Sequence, residues 1–259
     1  MLEQSQFNTD SRALEQRIQA HEKFGSKDLN AWIFETVRVQ DGLSVLDLGC
    51  GVGKQTIPLA EAVGRLGQVL AVDLSQRALD VLYQKASAQS LGERVKVLCC
   101  GFDDLEDFLN EPNQFDLVMS CFSLYYANEP EKVFRTVHRS LKPGCAFFFC
   151  GPANDNNLEL KHFHWTLKTG RTPLATEASV FMEMTGSELA GRIFRETKVL
   201  RFQNELRFDS PESLCSYWSS YNLYDPNLEA AFKVAAEEHF RKSPFFATTK
   251  RVCGVRSIK

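Results

Sequence analysis

The sequence has almost no surplus charge: 30 Lys+Arg against 33 Asp+Glu leave a formal net charge of −3 over 259 residues. That balance supplies no global field to recruit a nucleic-acid backbone or an anionic membrane. Long apolar runs are also missing, since the longest unbroken one, CAFFFC at 145–150, falls far short of the ~20 residues that span a bilayer. The first residues, MLEQSQFNTDSRALEQ, lack the basic and then apolar regions of a secretory leader. Eight cysteines are present but none form a C-x-x-C pair. Most sit in apolar, strand-like runs, so they read as small core hydrophobes in a reducing cytosol, not as metal ligands or a disulfide framework. The chain is therefore expected to be cytoplasmic, with no metal, no DNA and no membrane among its partners. A homo-oligomer is compatible with the composition.

From 43 to 152 the sequence alternates short β-type runs with amphipathic helical stretches, the pattern of a parallel sheet covered by helices. SVLDLG, QVLAVDL, VKVLCC, FDLVMSCF and CAFFFC read as five strands. Between them Leu79, Leu82, Tyr83 and Ala86 recur at helical spacing, as do Val133, Phe134, Val137 and Leu141 after Glu129-Pro130; Lys142-Pro143-Gly144 is expected to end that helix. Two helices precede the block, one through Leu14 and Ile18 and one from Leu29 to Val37 with Asp28 as its cap. After Pro152 come two helical segments with a Gly-Arg-Thr-Pro loop, then TKVLRFQNELRF as a strand, two helices opened by Ser210-Pro211 and Asp225-Pro226, and a last strand over 250–258. The organisation expected is a single domain: a helical cap (1–40), a core (41–152), a helical insertion (153–197) and C-terminal strands and helices (198–259).

The informative stretch is Val45-Leu46-Asp47-Leu48-Gly49-Cys50-Gly51-Val52-Gly53, a buried strand entering a glycine-rich turn before a helix near Lys54. Such a turn lets backbone N–H groups approach a ligand closely. A phosphate loop needs G-x-x-x-x-G-K-[ST], but Leu48 holds the first glycine position and Gln55 follows Lys54. A dinucleotide fingerprint starting at Gly49 places its third glycine at Lys54, which spoils the close packing that glycine permits. What is left is G-x-G-x-G, with Asp47 before it and Asp73 at the end of the next strand.

Taken together, VLDLGCGVGK, VLAVDLS, FDLVMSCFSLYY and VFRTVHRSLKPGCAFFF resemble the class I S-adenosylmethionine-dependent methyltransferases in order and spacing as well as in residues. The resemblance covers 41–152 strongly and the rest in general outline. It implies a Rossmann-like, doubly wound α/β fold with a mostly parallel seven-stranded sheet, helices on both faces and a helical lid. It implies S-adenosyl-L-methionine as cofactor and S-adenosyl-L-homocysteine as product. Position by position, Asp47, Gly49, Cys50, Gly51 and Gly53 would border the methionine half and Asp73 would hold the ribose diol, with Leu74 on the adenine. Phe102, through its backbone N–H, and Asp103 would reach the adenine edge. Ser120 and Cys121, ending the fourth strand, would present backbone to the amino-acid end.

The sulfonium methyl is already electrophilic, so a general base matters mainly for a protonated acceptor. Candidates are Tyr126 after the fourth strand and His162 and His164 in the insertion, since histidine titrates near neutrality. Two residues apart on a helix, the histidines point to nearly opposite sides, so one at most faces a pocket. Phe24, Tyr125, Tyr126, Phe163 and Trp165 are the expected acceptor contacts, with Phe181, Met182 and Met184 as further apolar lining; an apolar core of the lid itself is the competing reading. Arg171, Arg192, Arg195, Arg201 and Arg207 would select an anion if two converged, and solvated faces are the default.

The reading is a methyltransferase acting on a small-molecule acceptor, a natural product or other secondary metabolite, with oxygen favoured over nitrogen or carbon as the receiving atom. No [DN]-P-P-[YFW] follows the fourth strand and no Pro-Cys dipeptide occurs, which argues against DNA-base acceptors. A non-catalytic S-adenosylmethionine-binding module and an RNA methyltransferase remain as alternatives, and a nicotinamide-dependent oxidoreductase is disfavoured by Lys54.

Overall fold

Val45, Leu46 and Leu48 are all fully buried in β1 (Ser44–Leu48), because this strand lies inside a sheet covered on both faces. The computed structural model describes residues 11–173 and 175–259. Helices α1 (Ser11–Phe24) and α2 (Leu29–Val37) precede β1. After it come α3 (Thr56–Ala62), β2 (Gln68–Asp73), α4 (Gln76–Ala88), β3 (Val95–Cys99), α5 (Leu105–Phe108), β4 (Phe115–Cys121), α6 (Pro130–Ser140) and β5 (Leu141–Pro152). The chain continues through α7 (Leu158–Lys168), α8 (Glu177–Val180), α9 (Gly186–Ile193), β6 (Glu196–Phe208), α10 (Pro211–Ser219), α11 (Glu229–Lys242) and β7 (Phe246–Ile258).

The strands form one seven-stranded sheet in the order β3-β2-β1-β4-β5-β7-β6. β1 pairs in parallel with β2 and β4, β2 with β3 and β4 with β5, while β7 runs antiparallel to β5. The direction of winding reverses at β1, and ligands of open α/β sheets bind outside the carboxyl ends of the strands at such a point. The expected doubly wound, mostly parallel seven-stranded sheet is what the chain forms.

Alternation along the strands divides the core between two faces, because successive side chains point to opposite sides. Leu46, Leu48, Val118, Phe147 and Phe149 pack with Val133, Phe134 and Val137 of α6 and with Leu189 and Ala190 of α9. Val45, Leu117, Met119 and Phe148 pack on the other face with Ile33 of α2, Leu59 of α3, and Leu79 and Leu82 of α4.

Contacts group the chain into two compact units: a larger one of Leu29–Asn154, Thr176–Phe202 and Val252–Lys259, and a smaller one of the chain up to Asp28, Asp155–Ala175 and Gln203–Arg251. This differs from the linear segmentation. The two N-terminal helices do not form one cap over 1–40: Leu29, Ile33 and Val37 commit α2 to the larger unit's core, whereas Ala20 and Phe24 commit α1 to the smaller one's. The insertion over 153–197 is likewise divided, α7 going to the smaller unit and α8 and α9 to the larger. A π-helical turn, Phe181–Thr185, joins α8 to α9.

Lys142-Pro143-Gly144 opens β5 instead of closing a helix, since proline disfavours helical backbone in the residue before it and α6 has already stopped at Ser140. The helix after the glycine turn starts at Thr56, not near Lys54, and Pro58 falls in its first turn, where a missing N–H does little harm. No helix among the described residues is long and apolar enough to cross a membrane.

Candidate active site

At the carboxyl end of β1 the backbone turns through three left-handed glycines, Gly49 at φ 70°, Gly51 at 53° and Gly53 at 87°. The N–H groups of Gly49 and Cys50 both donate to the Val72 carbonyl of β2, at 2.7 and 3.0 Å, which pins the turn to the neighbouring strand. Gly51 N–H donates to Asp73 Oδ2 at 2.8 Å, and Ser75 N–H to Asp73 Oδ1 at 2.9 Å. The Asp73 carboxylate, at the end of β2, is thereby held by one backbone bond to each oxygen.

The glycines differ in what surrounds them. A Cβ at Gly49 would fall on the Ser123 side chain and 3.2 Å from Phe102 Cζ; at Gly53 it would fall on Leu82; at Gly51 it meets nothing within 4 Å. Gly51 therefore faces open space, and the turn is a cradle there and packed at its two ends. Gly51→Ala should cost only the left-handed penalty of roughly 1–2 kcal/mol. Gly49→Ala should cost about 1–3 kcal/mol more, from overpacking against Ser123. Urea denaturation of both variants checks the order, and equal costs would mean that the Gly49 packing is not what the turn depends on.

Asp47, 1% exposed, accepts the Thr56 hydroxyl at 2.7 Å. Burial pushes its carboxyl up to about 6, against the pull of that hydrogen bond, with the Asp73 charge raising it further. Its side chain is thus a support of the turn, and only its backbone borders the cradle. Cys50 is also buried, its thiol donating to the Gly51 carbonyl at 3.7 Å and held far above the ordinary thiol range by burial. Cys121 faces Cys150 across the β4–β5 register, and that thiol together with burial pushes it well up. Neither is an activated nucleophile.

Around the turn, Leu74 is 59% exposed, an apolar side chain in water directly after Asp73. Phe102 packs against the core with its ring end toward Gly49. Asp103 ties down the loop before α6, its Oδ2 accepting from Asn128 Nδ2 at 2.6 Å and its Oδ1 from Glu129 N–H at 3.0 Å. The Ser120 side chain is fully buried and bonds Ser123 Oγ at 2.8 Å, while Ser123 donates to the Leu48 carbonyl at 2.9 Å. Ser123, which pattern reading passed over, thus locks β4 to the start of the turn.

Phe122 holds a left-handed backbone, φ 58°, and its N–H donates to the Cys150 carbonyl at 2.8 Å. Strain of this kind in a non-glycine residue gathers at ligand sites. Tyr125 donates its hydroxyl to the Phe122 carbonyl at 2.7 Å and lies 4.7 Å, ring to ring, from Tyr126. Gly151 leaves no room for a Cβ between Met182 and Tyr125. Phe181 and Met182 are core residues, whereas Met184 is 58% exposed.

The remaining expected contacts lie in the smaller unit and serve its core. His164, 1% exposed, accepts the Trp218 indole N–H on Nδ1 at 3.2 Å, and burial lowers its pKa. It is a core acceptor, a correction to its candidacy as a base. His162 points the other way, exposed, with Nδ1 at 2.7 Å from the Thr172 hydroxyl. Phe24 packs on Phe208 at 4.9 Å, Phe163 on Phe232 and Phe246 at 5.0 and 5.3 Å, and Trp165 edge-on to His164 at 5.3 Å. Phe24 and Phe163 pack against the smaller unit's core. Arg192, Arg201 and Arg207 each pair with a carboxylate, of Glu131, Glu183 and Glu205, and do not converge.

Residues 45–144 match the family model described as a methyltransferase domain. Over those residues the chain is similar to a methyltransferase domain. Within it fall the glycine turn, Asp73 and the end of β4, and their arrangement fits the cofactor: an open cradle at Gly51, an oriented carboxylate beside it and an apolar side chain beyond. A demethylmenaquinone methyltransferase of Bacillus cereus (strain ATCC 10987 / NRS 248) is 37% identical over 117 residues, 44% of this chain and 48% of the relative. One of Lactobacillus johnsonii is 32% identical over 120 residues, 44% and 47% of the two chains. The match thus spans about half the length of these relatives. Among solved structures, the YcgJ protein of Bacillus subtilis superposes with a TM-score of 0.58 at 14% identity, covering 89% of this chain and 97% of that one, a likeness of fold.

Proposed function

We propose that the protein transfers the methyl group of S-adenosylmethionine to a small-molecule acceptor, a natural product or other secondary metabolite, with an oxygen as the receiving atom. The reading is carried by the Gly49–Gly53 turn, open at Gly51 and tied to Asp73, inside the matched domain. Relatives named for demethylmenaquinone support an acceptor of small-molecule size.

In this proposal the backbone from Asp47 to Gly53, with that of Cys121, borders the methionine half. Asp73 accepts the ribose hydroxyls with the lone pairs that Gly51 and Ser75 leave. Leu74 covers one face of the adenine, and Phe102 offers its backbone N–H at the edge. The cofactor, when bound, supplies a methyl group already made electrophilic by a sulfonium sulfur. The protein's share is then to align the acceptor and exclude water, and orientation of that kind is worth roughly 7–11 kcal/mol. A proton on the acceptor oxygen needs a base, worth about 10²–10⁴-fold. Of the tyrosine pair, Tyr125 donates its hydroxyl to the Phe122 carbonyl and is the proposed acceptor-side wall, and Tyr126, as its phenolate, is the proposed proton acceptor.

Calorimetric titration with S-adenosylmethionine, S-adenosylhomocysteine and NAD tests the cofactor. Saturable binding of the first two alone supports the proposal, while tight NAD binding, or binding of none, overturns it. Incubation with S-adenosylmethionine and a pool of phenols, read by mass spectrometry, tests the receiving atom: methyl ethers support oxygen, and methylation at carbon or nitrogen alone excludes it.

A further inference from the structure

The central strand carries an acid where its neighbours are apolar. In register, Asp47 of β1 lies between Ala71 of β2 and Met119 of β4, both fully buried, and is itself 1% exposed. A carboxylate held this deep ordinarily has a cation beside it, because burying an uncompensated charge is costly. Among the described residues Asp47 takes the Thr56 hydroxyl and forms no ion pair. The charge that does act on it has the same sign, that of Asp73.

These two acids bracket the glycine turn. Asp73 is tied to the Gly51 N–H, and Cys50, inside the turn, feels both carboxylates. Thr56 opens α3, so its bond to Asp47 runs from the strand that enters the turn to the helix that leaves it. The open side at Gly51 thus looks onto a region of negative potential, poorly screened because the sheet interior excludes water. The compensating charge has to come with a ligand.

S-adenosylmethionine and S-adenosylhomocysteine share their ammonium, carboxylate, ribose and adenine groups, and only the first carries a sulfonium. We propose that Asp47 tells the cofactor from its spent product by charge, its buried carboxylate favouring the sulfonium form through the field it sets up in the turn and not by contact. This rests on the proposed cofactor reading of the same turn. Burial places the Asp47 carboxyl at about 6, and a cation brought near it lowers that value. The preference is therefore present above pH 6 and fades as the pH falls below it. Other titratable or charged groups around Asp47 are Asp73, Cys50 and Cys121, with Lys54 acting on Cys121. Both thiols are pushed up and stay protonated throughout.

The test is calorimetric titration of the full chain with each ligand between about pH 5 and pH 8, in two buffers of different ionisation enthalpy. The ratio of the S-adenosylhomocysteine Kd to the S-adenosylmethionine Kd should fall about tenfold from the upper to the lower end. Near pH 6, S-adenosylmethionine should release protons in excess of any released with S-adenosylhomocysteine. Asp47→Asn, which keeps an acceptor for the Thr56 hydroxyl, should show the lower ratio at every pH. Thr56→Val, which removes the bond that holds the carboxyl down, should move the midpoint to higher pH and leave the ratio at the upper end unchanged. A purely structural Asp47 would weaken both ligands alike and leave the ratio flat. A flat ratio in the wild type, or the same pH dependence in Asp47→Asn, overturns this inference and leaves the cofactor reading standing. Binding of neither ligand overturns both.

Discussion

Asp73→Ala is expected to weaken S-adenosylmethionine binding by about 1.5–3 kcal/mol, the range for losing hydrogen bonds to a charged group, which is roughly 10- to 150-fold. The effect has two parts. The ribose hydroxyls lose their acceptor, and the Gly51 N–H loses the oxygen that orients it. The fold should survive, because Asp73 is half-buried at a strand end and water can replace it as acceptor for the Gly51 and Ser75 N–H groups. Asp73→Asn, which keeps one acceptor oxygen and the shape, should fall between the two. Calorimetry on a variant with native circular dichroism decides the matter, and undiminished affinity would remove Asp73 from the site.

A larger effect on stability is expected at Trp218. The indole is 1% exposed, stacks on Phe232 at 4.0 Å and 5° and donates to His164. Trp218→Ala should cost about 3–5 kcal/mol. Trp218→Phe keeps much of the packing but leaves His164 Nδ1 without its donor, which costs about 1–3 kcal/mol. The burial of His164 sets a pH dependence. Burial lowers the folded-state pKa of His164 from the ordinary 6.5, so the unfolded chain binds a proton that the folded one refuses. This stability is present above 6.5 and is lost as pH falls from there toward the lower folded-state value. Denaturation curves across that range should show a smaller loss in His164→Gln than in the wild type. An equal pH dependence in both would place the titration elsewhere.

How far the sequence can be read differs between the two units. The strand–turn–acid series from Val45 to Asp73 is local: a buried strand, glycines at left-handed positions and an acid at the next strand's end are set by backbone conformation within a short span. What that reading could not supply are the partners that lie far along the chain. Asp103 is an exposed-looking acid until Asn128 and Glu129 come round to it. His164 resembles a catalytic base until Trp218, 54 residues later, donates to it. Ser123 gives no signal by itself, and only its packing against Gly49 shows why it is there.

By itself the sequence determined the alternation of strands and helices, the parallel sheet and the glycine cradle, because each follows from periodicity and from the φ that glycine alone adopts at no steric cost. Only the tertiary structure decided which aromatic and titratable side chains belong to a core. Phe24 and Phe163 pack on Phe208 and Phe232, and Trp165 stands edge-on to its neighbour His164. The physical reason is that a helix's apolar face shows that something will cover it but not what does. α1, α7 and α10 acquire their shared core only when three segments distant in the chain meet.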